Sequence, residues 1–310
     1  MKQLGFLFPG QGAQTIGMGK DLYTANEEAQ SIFDQADRSA GFSLSKLCFE
    51  GPEPELTRTA NTQIAIFVTS IATLAAIRSF FPKLKPALSC GLSLGEFVAL
   101  VALEALSFED GLQLVRKRGE LMEEAGRKNP GTMASIIGLA INECKTVCSE
   151  TGAEIANINS YEQVVISGSI DAVNAACQLA KLKGAKHVIV LKVGGAFHSP
   201  LMAHARSGLE EALRKIKIKE PKGIFIPNVT GEPVSDPSRI QKLLAEQLTS
   251  PVQWVRTMEC VKELGVKELL EIGPGRVLKG LARKINPELA VTNIEKISDL
   301  EQLKPIAIDS

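Results

Sequence analysis

Two glycines flank a serine, one residue away on each side, in the run Gly91-Leu92-Ser93-Leu94-Gly95. The apolar stretch at 85–90 reads as a buried strand, and a helical pattern opens after the motif, near Glu96. A serine on a sharp strand-to-helix turn stands clear of its sheet, and small neighbours leave room for a substrate. The next backbone N–H, that of Leu94, then points to where a tetrahedral oxyanion would form. Many strings of this kind are plain turns, so the spacing leaves Ser93 as either a nucleophile or a turn residue.

A nucleophilic serine needs a base, and the chain has only three histidines, His187, His198 and His204. His187 falls in an apolar strand pattern and His204 in a polar helical one, so both read as edge or surface residues. His198 sits where a strand ends, with Ser199 placed to cap and Pro200 to start the next helix. Such a corner can reach a neighbouring elbow, although a satisfied loop histidine fits the same pattern. Arg118 shares a helical face with Leu114, Val115, Leu121, Met122 and Ala125, whereas Arg116, Lys117, Glu120, Glu123 and Glu124 take other faces. A guanidinium turned inward needs an anionic or polar partner, either an internal salt bridge or the carboxylate of a substrate. No aspartate or glutamate occupies a recognisable third-member position; Asp236 and Asp299 lie in loops with nothing tying them to His198.

These residues are carried by a chain of 310 residues with 35 basic and 35 acidic side chains. Zero net charge argues against nucleic acid held by bulk electrostatics. The opening apolar run is too short for a signal peptide, and the most apolar stretch, at 62–77, reads as a core helix rather than a membrane span. Six scattered cysteines without a histidine cluster read as reduced and structural in a cytoplasmic protein, with no metal site. The glycine-rich loop after the first strand, Gly10-Gln11-Gly12, lacks the lysine of a phosphate-binding loop and the dinucleotide spacing.

Along the chain, the reading is a strand at 3–8, one helix over 20–40, a long buried helix at 61–81, the strand and helix around Ser93, and a helix opened by Ser107. From about residue 130 the order becomes β-α-β-β-α-β, a ferredoxin-like arrangement bounded by polar Pro/Gly segments. The expected fold class is therefore α/β: a core of residues 1–127 and 198–310, with an inserted α+β subdomain at 128–197. A helix near 200–216, a strand at 224–229, a helix near 238–249, a strand at 267–272 and a last helix complete the core.

The motifs FPGQGAQ, GLSLGE, RGELM, NINSYEQVVISG, GAFHSPLM, PVQW and EIGPGRVLKG, in this order and spacing, resemble the malonyl-CoA:acyl-carrier-protein transacylases of fatty-acid synthesis. The resemblance spans nearly the whole chain and implies an α/β-hydrolase-like core with parallel sheet. It also implies roles. Ser93 matches the acylated nucleophile, His198 its base, and Arg118 the residue that holds the malonyl carboxylate. Gln11 matches a glutamine of the oxyanion pocket, with the Leu94 N–H as donor. Gln253 matches a residue whose backbone carbonyl orients the histidine, Asn159 an asparagine near the site, and Phe197 the version of the motif seen with malonyl rather than branched substrates. Leu92 departs from the family, where histidine usually precedes the serine.

On this resemblance the expected partners are malonyl-CoA, as substrate, and acyl carrier protein, with no cofactor, nucleic acid or membrane, and a monomeric chain. Carrier proteins of this type are acidic, so Lys181, Lys183 and Lys186, or Arg214, Lys215, Lys217 and Lys219, are possible docking charges or simply a solvated face. A serine hydrolase using the same pair and a catalytically silent carrier-binding subunit are the alternatives. Arg118 and the missing acid speak against the first; only Leu92 suggests the second.

Overall fold

The computed structural model describes residues 4–308. Its strands are β1 (Leu4–Phe8), β2 (Leu88–Gly91), β3 (Gly131–Ile137), β4 (Glu154–Ser160), β5 (Gln163–Ser169), β6 (His187–Val190), β7 (Ile224–Phe225), β8 (Glu268–Ile272) and β9 (Ala290–Ile294). They form two sheets. The first is parallel, in the order β7-β2-β1-β8-β9. Its strands are short apolar runs because both faces are covered. On β1, Phe6 and Phe8 face one cluster with Phe33, Phe67 and Phe97, while Leu7 faces another with Trp254, Met258 and Leu278.

The long apolar segment is a helix at Thr59–Phe80. Although long and apolar enough to cross a membrane, it is mostly buried within the protein, the packing of a core helix. It lies against the helix Phe108–Lys128, whose start is capped where expected: Ser107 Oγ accepts from the Asp110 N–H at 3.0 Å.

The second sheet is antiparallel, in the order β4-β5-β3-β6, with helices at Ile141–Thr151 and Ile170–Leu182 as its crossovers. This is the ferredoxin-like order. Strand alternation divides its faces. Ala134, Ile136, Val164 and Ile166 pack on the two helices. Met133, Ser135, Ile137, Gln163 and Val165 point the other way and roof a cavity over the first sheet. The fold class read from the sequence, α/β with a parallel core sheet and an inserted α+β unit, is the one observed.

Local departures have local causes. The helix expected over 20–40 is two helices, Lys20–Ala25 and Glu27–Ala40, because Asn26 turns extended and its side chain caps the Ala29 N–H at 2.9 Å. The strand expected at 224–229 pairs over only two residues before the chain leaves the sheet. Strand β9 and the helix Trp254–Glu263 lie in segments to which the sequence pattern assigns no element. Of the first strand, Gln3 lies outside the described residues.

Candidate active site

The register of β1 on β2 pairs Phe8 with Gly91, so the loops that follow the two strands emerge side by side at the carboxyl edge of the sheet. In open α/β sheets this edge is where ligands bind. The β1 loop carries Gln11, and the β2 loop carries Ser93 in the left-handed region at φ 53°. Backbone crowding explains the flanking glycines. A Cβ on Gly91 would overlap the Gly95 backbone, and one on Gly95 would overlap the Phe8 carbonyl. Asn228, just past β7, braces the turn: its Oδ1 accepts from the Ser93 N–H at 2.6 Å, and its Nδ2 donates to the Gly91 carbonyl at 2.7 Å.

His198 also has a positive φ, 59°, on the corner before the short turn Pro200–Met202. Its Nε2 lies 2.9 Å from Ser93 Oγ, and its Nδ1 lies 2.8 Å from the backbone carbonyl of Gln247. A carbonyl only accepts, so Nδ1 carries the proton and Nε2 is free to take one from the serine. Burial, reinforced by the Arg118 charge, pushes the imidazole down to about 4 and keeps it neutral near pH 7.

The orienting carbonyl is that of Gln247, which corrects the expectation for Gln253. The turn Gln247–Thr249 breaks the preceding helix and brings the Gln247 carbonyl, which also accepts the Ser250 N–H at 3.3 Å, to the imidazole. The Gln253 carbonyl instead accepts the Thr257 N–H at 2.9 Å and starts the following helix.

Arg118 is fully buried beneath the serine, as its helical face foretold. One Nη2 donates to Ser93 Oγ and to Gln247 Oε1, each at 2.9 Å, and Nη1 donates to Gln63 Oε1. Gln63 passes the chain on, its Nε2 donating to Gln11 Oε1 at 3.1 Å. The Arg118 Nε has no partner. A buried guanidinium with an unpaired N–H beside a serine hydroxyl is a receptor for an acceptor-rich group, a carboxylate above all.

Ser93 and His198 open into a cavity of about 470 Å³, lined also by Gln11, Gln63, Leu92, Asn159 and Phe197. The Asn159 Oδ1 is buried without a partner. Leu92 leans on the apolar cluster that contains Trp254 and Ile226. Leu94 is buried; neither its N–H nor that of Gln11 has an acceptor among the described residues. A larger cavity of about 820 Å³ lies elsewhere, around Arg78 and Glu104, and holds none of these residues. Convergent polar groups, not volume, mark the site.

Four residues of the site were not singled out from the sequence: Gln63, Glu96, Asn228 and Gln247. Gln63 and Glu96 carried faint signals, a polar residue opening the most apolar run and an acid next to the serine motif. Glu96 is fully buried, and burial pushes its carboxyl up to about 8 against the pull of its N–H donors and of Arg118. Asp236 and Asp299 are spent locally, accepting backbone N–H groups of their own turns. His204 is exposed beside Glu124 and Lys128.

A serine and a neutral imidazole at the mouth of one cavity, with a buried guanidinium bonded to the serine, are a grouping suited to acyl transfer. The family described as acyl transferase domain matches residues 5–291, and the chain belongs to it. Within that family its relatives are the malonyl transacylases to which its motifs pointed. It is 43% identical over 305 residues to the malonyl CoA-acyl carrier protein transacylase of Bacillus subtilis, with 96% of each chain covered. Identity to the transacylase of the same name from Staphylococcus aureus is 36% over 306 residues, covering 97% of this chain and 98% of that one. Among solved structures, the acyl-carrier-protein-S-malonyltransferase of Bartonella henselae superposes with a TM-score of 0.94 at 37% identity, covering 98% of this chain and 99% of that one. A malonyl-transacylase solved in complex with its type II PKS acyl-carrier protein superposes with a TM-score of 0.92 at 36% identity, covering 97% and 98%.

Proposed function

We propose that this chain transfers the malonyl group of malonyl-CoA to the phosphopantetheine thiol of acyl carrier protein, through a malonyl-serine intermediate, in support of fatty-acid synthesis. The observation that carries this reading is the buried Arg118 guanidinium 2.9 Å from Ser93 Oγ. A hydrolase of neutral esters has no use for an inward cation at its nucleophile, and a carboxylate-bearing acyl group does.

In the first step His198 Nε2 takes the Ser93 proton as Oγ attacks the thioester carbonyl. The Leu94 and Gln11 N–H groups, which lack internal acceptors, stabilise the oxyanion. The imidazolium formed is steadied by the Gln247 carbonyl, which fills the role an acid plays in a triad. It returns its proton to the departing CoA thiolate. The second step repeats the first in reverse with the carrier thiol: His198 takes the thiol proton, the thiolate attacks the malonyl-serine, and Ser93 leaves with the proton restored. Arg118 pairs with the malonyl carboxylate in both steps. An acetyl group would leave the guanidinium facing a methyl, so neutral acyl groups are disfavoured. Asn159 and Phe197 line the acyl pocket. Each step is a proton or acyl transfer that these side chains can supply.

Intact-mass measurement after mixing with malonyl-CoA tests the reading. The expected result is the gain of one malonyl group, lost on adding carrier protein and absent in Ser93→Ala. Rapid release of free malonate with no carrier acylation would instead make the protein a hydrolase, and no mass gain at all would leave it a binding subunit.

A further inference from the structure

Glu96 opens the helix Gly95–Ala102, yet its carboxyl does not cap that helix. One oxygen accepts the Asn228 backbone N–H, and the other accepts Gln247 Nε2. Each partner then reaches the reacting groups. Asn228 holds the Ser93 N–H and the Gly91 carbonyl. Gln247 holds His198 through its backbone carbonyl and Arg118 through Oε1, and its Nε2 also donates to the Ser93 carbonyl at 3.0 Å.

The direction of these bonds is forced. A guanidinium only donates, so the Gln247 amide must turn its oxygen to Arg118 and its NH2 to Glu96. The Asn228 N–H is likewise a donor. Both Glu96 oxygens must therefore accept, which a carboxyl can do and the amide of a glutamine, with one oxygen and one NH2, cannot. Ser93 and His198 both sit in the left-handed region, which costs about 1 kcal/mol or more for residues with a Cβ. Such strain persists only where the surroundings over-determine the backbone.

We propose that Glu96 is the positioning residue of this site: its single carboxyl, acting through Asn228 and Gln247, holds nucleophile, base and guanidinium in one register. The missing third acid is thus not beside the histidine but one layer behind it, shared by all three groups. This rests on the roles given above to Ser93, His198 and Arg118.

The test is Glu96→Gln, which keeps the shape but sets an NH2 against one N–H donor whichever way its amide turns. A neutral fluorophosphonate reports on Ser93 and His198 without involving malonyl recognition. Its labelling amplitude counts correctly folded sites, and its rate constant reports how well the pair is set. The expected result is a wild-type amplitude with the rate constant lower by roughly 10- to 100-fold, and a matching fall in single-turnover malonylation. Glu96→Asp, which keeps both accepting oxygens but is one methylene shorter, is expected to fall between the two. A Glu96→Gln protein that labels at the wild-type rate, at full or reduced amplitude, overturns the proposal and leaves Glu96 a fold-stabilising residue. Where Glu96→Gln fails to fold, Glu96→Asp decides by the same criterion: a slower rate at full amplitude supports the proposal and a wild-type rate overturns it. The wild-type control separates the two levels. If it takes up no malonyl group, the reading of the site itself is wrong; if it does and Glu96→Gln matches it, only the positioning role is.

Discussion

Replacing Arg118 by alanine should invert the acyl preference of the site rather than merely slow it. The guanidinium is fully buried and held on three sides, by Gln63, Gln247 and Ser93, with the Phe97 ring 5.9 Å from its central carbon. A substrate carboxylate would meet it out of water, where truncating one partner of a charged pair costs roughly 2–5 kcal/mol. At about 1.4 kcal/mol per factor of ten, malonylation of Ser93 should fall by roughly 30- to 4,000-fold. Acetylation should hold steady or rise up to about tenfold, because the unpaired cation that penalises a methyl is gone. Arg118 also donates to Ser93 Oγ and lends its charge to Glu96, but losing those contacts affects both acyl groups alike. The informative quantity is therefore the ratio of the two rates, measured by single-turnover quench and intact mass with malonyl-CoA and acetyl-CoA. A ratio that stays within about threefold of wild type would refute the reasoning and reduce Arg118 to a structural cation.

Titration of His198 should be visible in stability. Its ordinary value is near 6.5 and the folded protein holds it at about 4. Between these limits the unfolded chain binds a proton that the native state does not. Stability is then intact above about pH 6.5 and declines as pH falls toward 4, by about 3 kcal/mol in all. Urea titrations at stepped pH should show this slope reduced in His198→Gln; equal slopes in the two proteins would contradict it. Gly91→Ala should cost about 3 kcal/mol or more, since its Cβ would meet the Gly95 backbone, which cannot yield as a side chain can. An unchanged denaturation midpoint would disprove that crowding. Leu92→His should retain Ser93 malonylation while losing about 1–2 kcal/mol, because Leu92 packs on the cluster of Trp254 and Ile226 rather than on the serine. Abolished mass uptake in that variant would instead make Leu92 part of the chemistry.

The residues most legible in the sequence were those with a local signature. Ser93 has its glycines, His198 its capping serine and proline, and Arg118 its place on an apolar helical face. Each of these is a statement about a short segment, and short segments obey turn chemistry and periodicity. The break at Asn26 was hidden because the residues on both sides have helical spacing, and only the side-chain cap decides the matter. The histidine's carbonyl partner was misassigned for a different reason. Every residue has a carbonyl, so choosing Gln247 over Gln253 depends on where the helix before Ser250 ends.

The sequence by itself determined the class of the molecule: the order of most strands and helices, the ferredoxin-like unit, the serine elbow, the inward arginine and the family that its motifs share. Periodicity and turn chemistry are enough for that, because they act within a few residues. Only the tertiary structure decided how the site is held. Asn228, Gln247 and Gln63 are 135, 154 and 30 residues from Ser93, and no local pattern ties them to it. They converge because two strands set their loops at one sheet edge and the roof of a second sheet closes over it. Buried donors and acceptors must then satisfy one another at close range, and that constraint, not sequence proximity, selected Glu96 as the group they share.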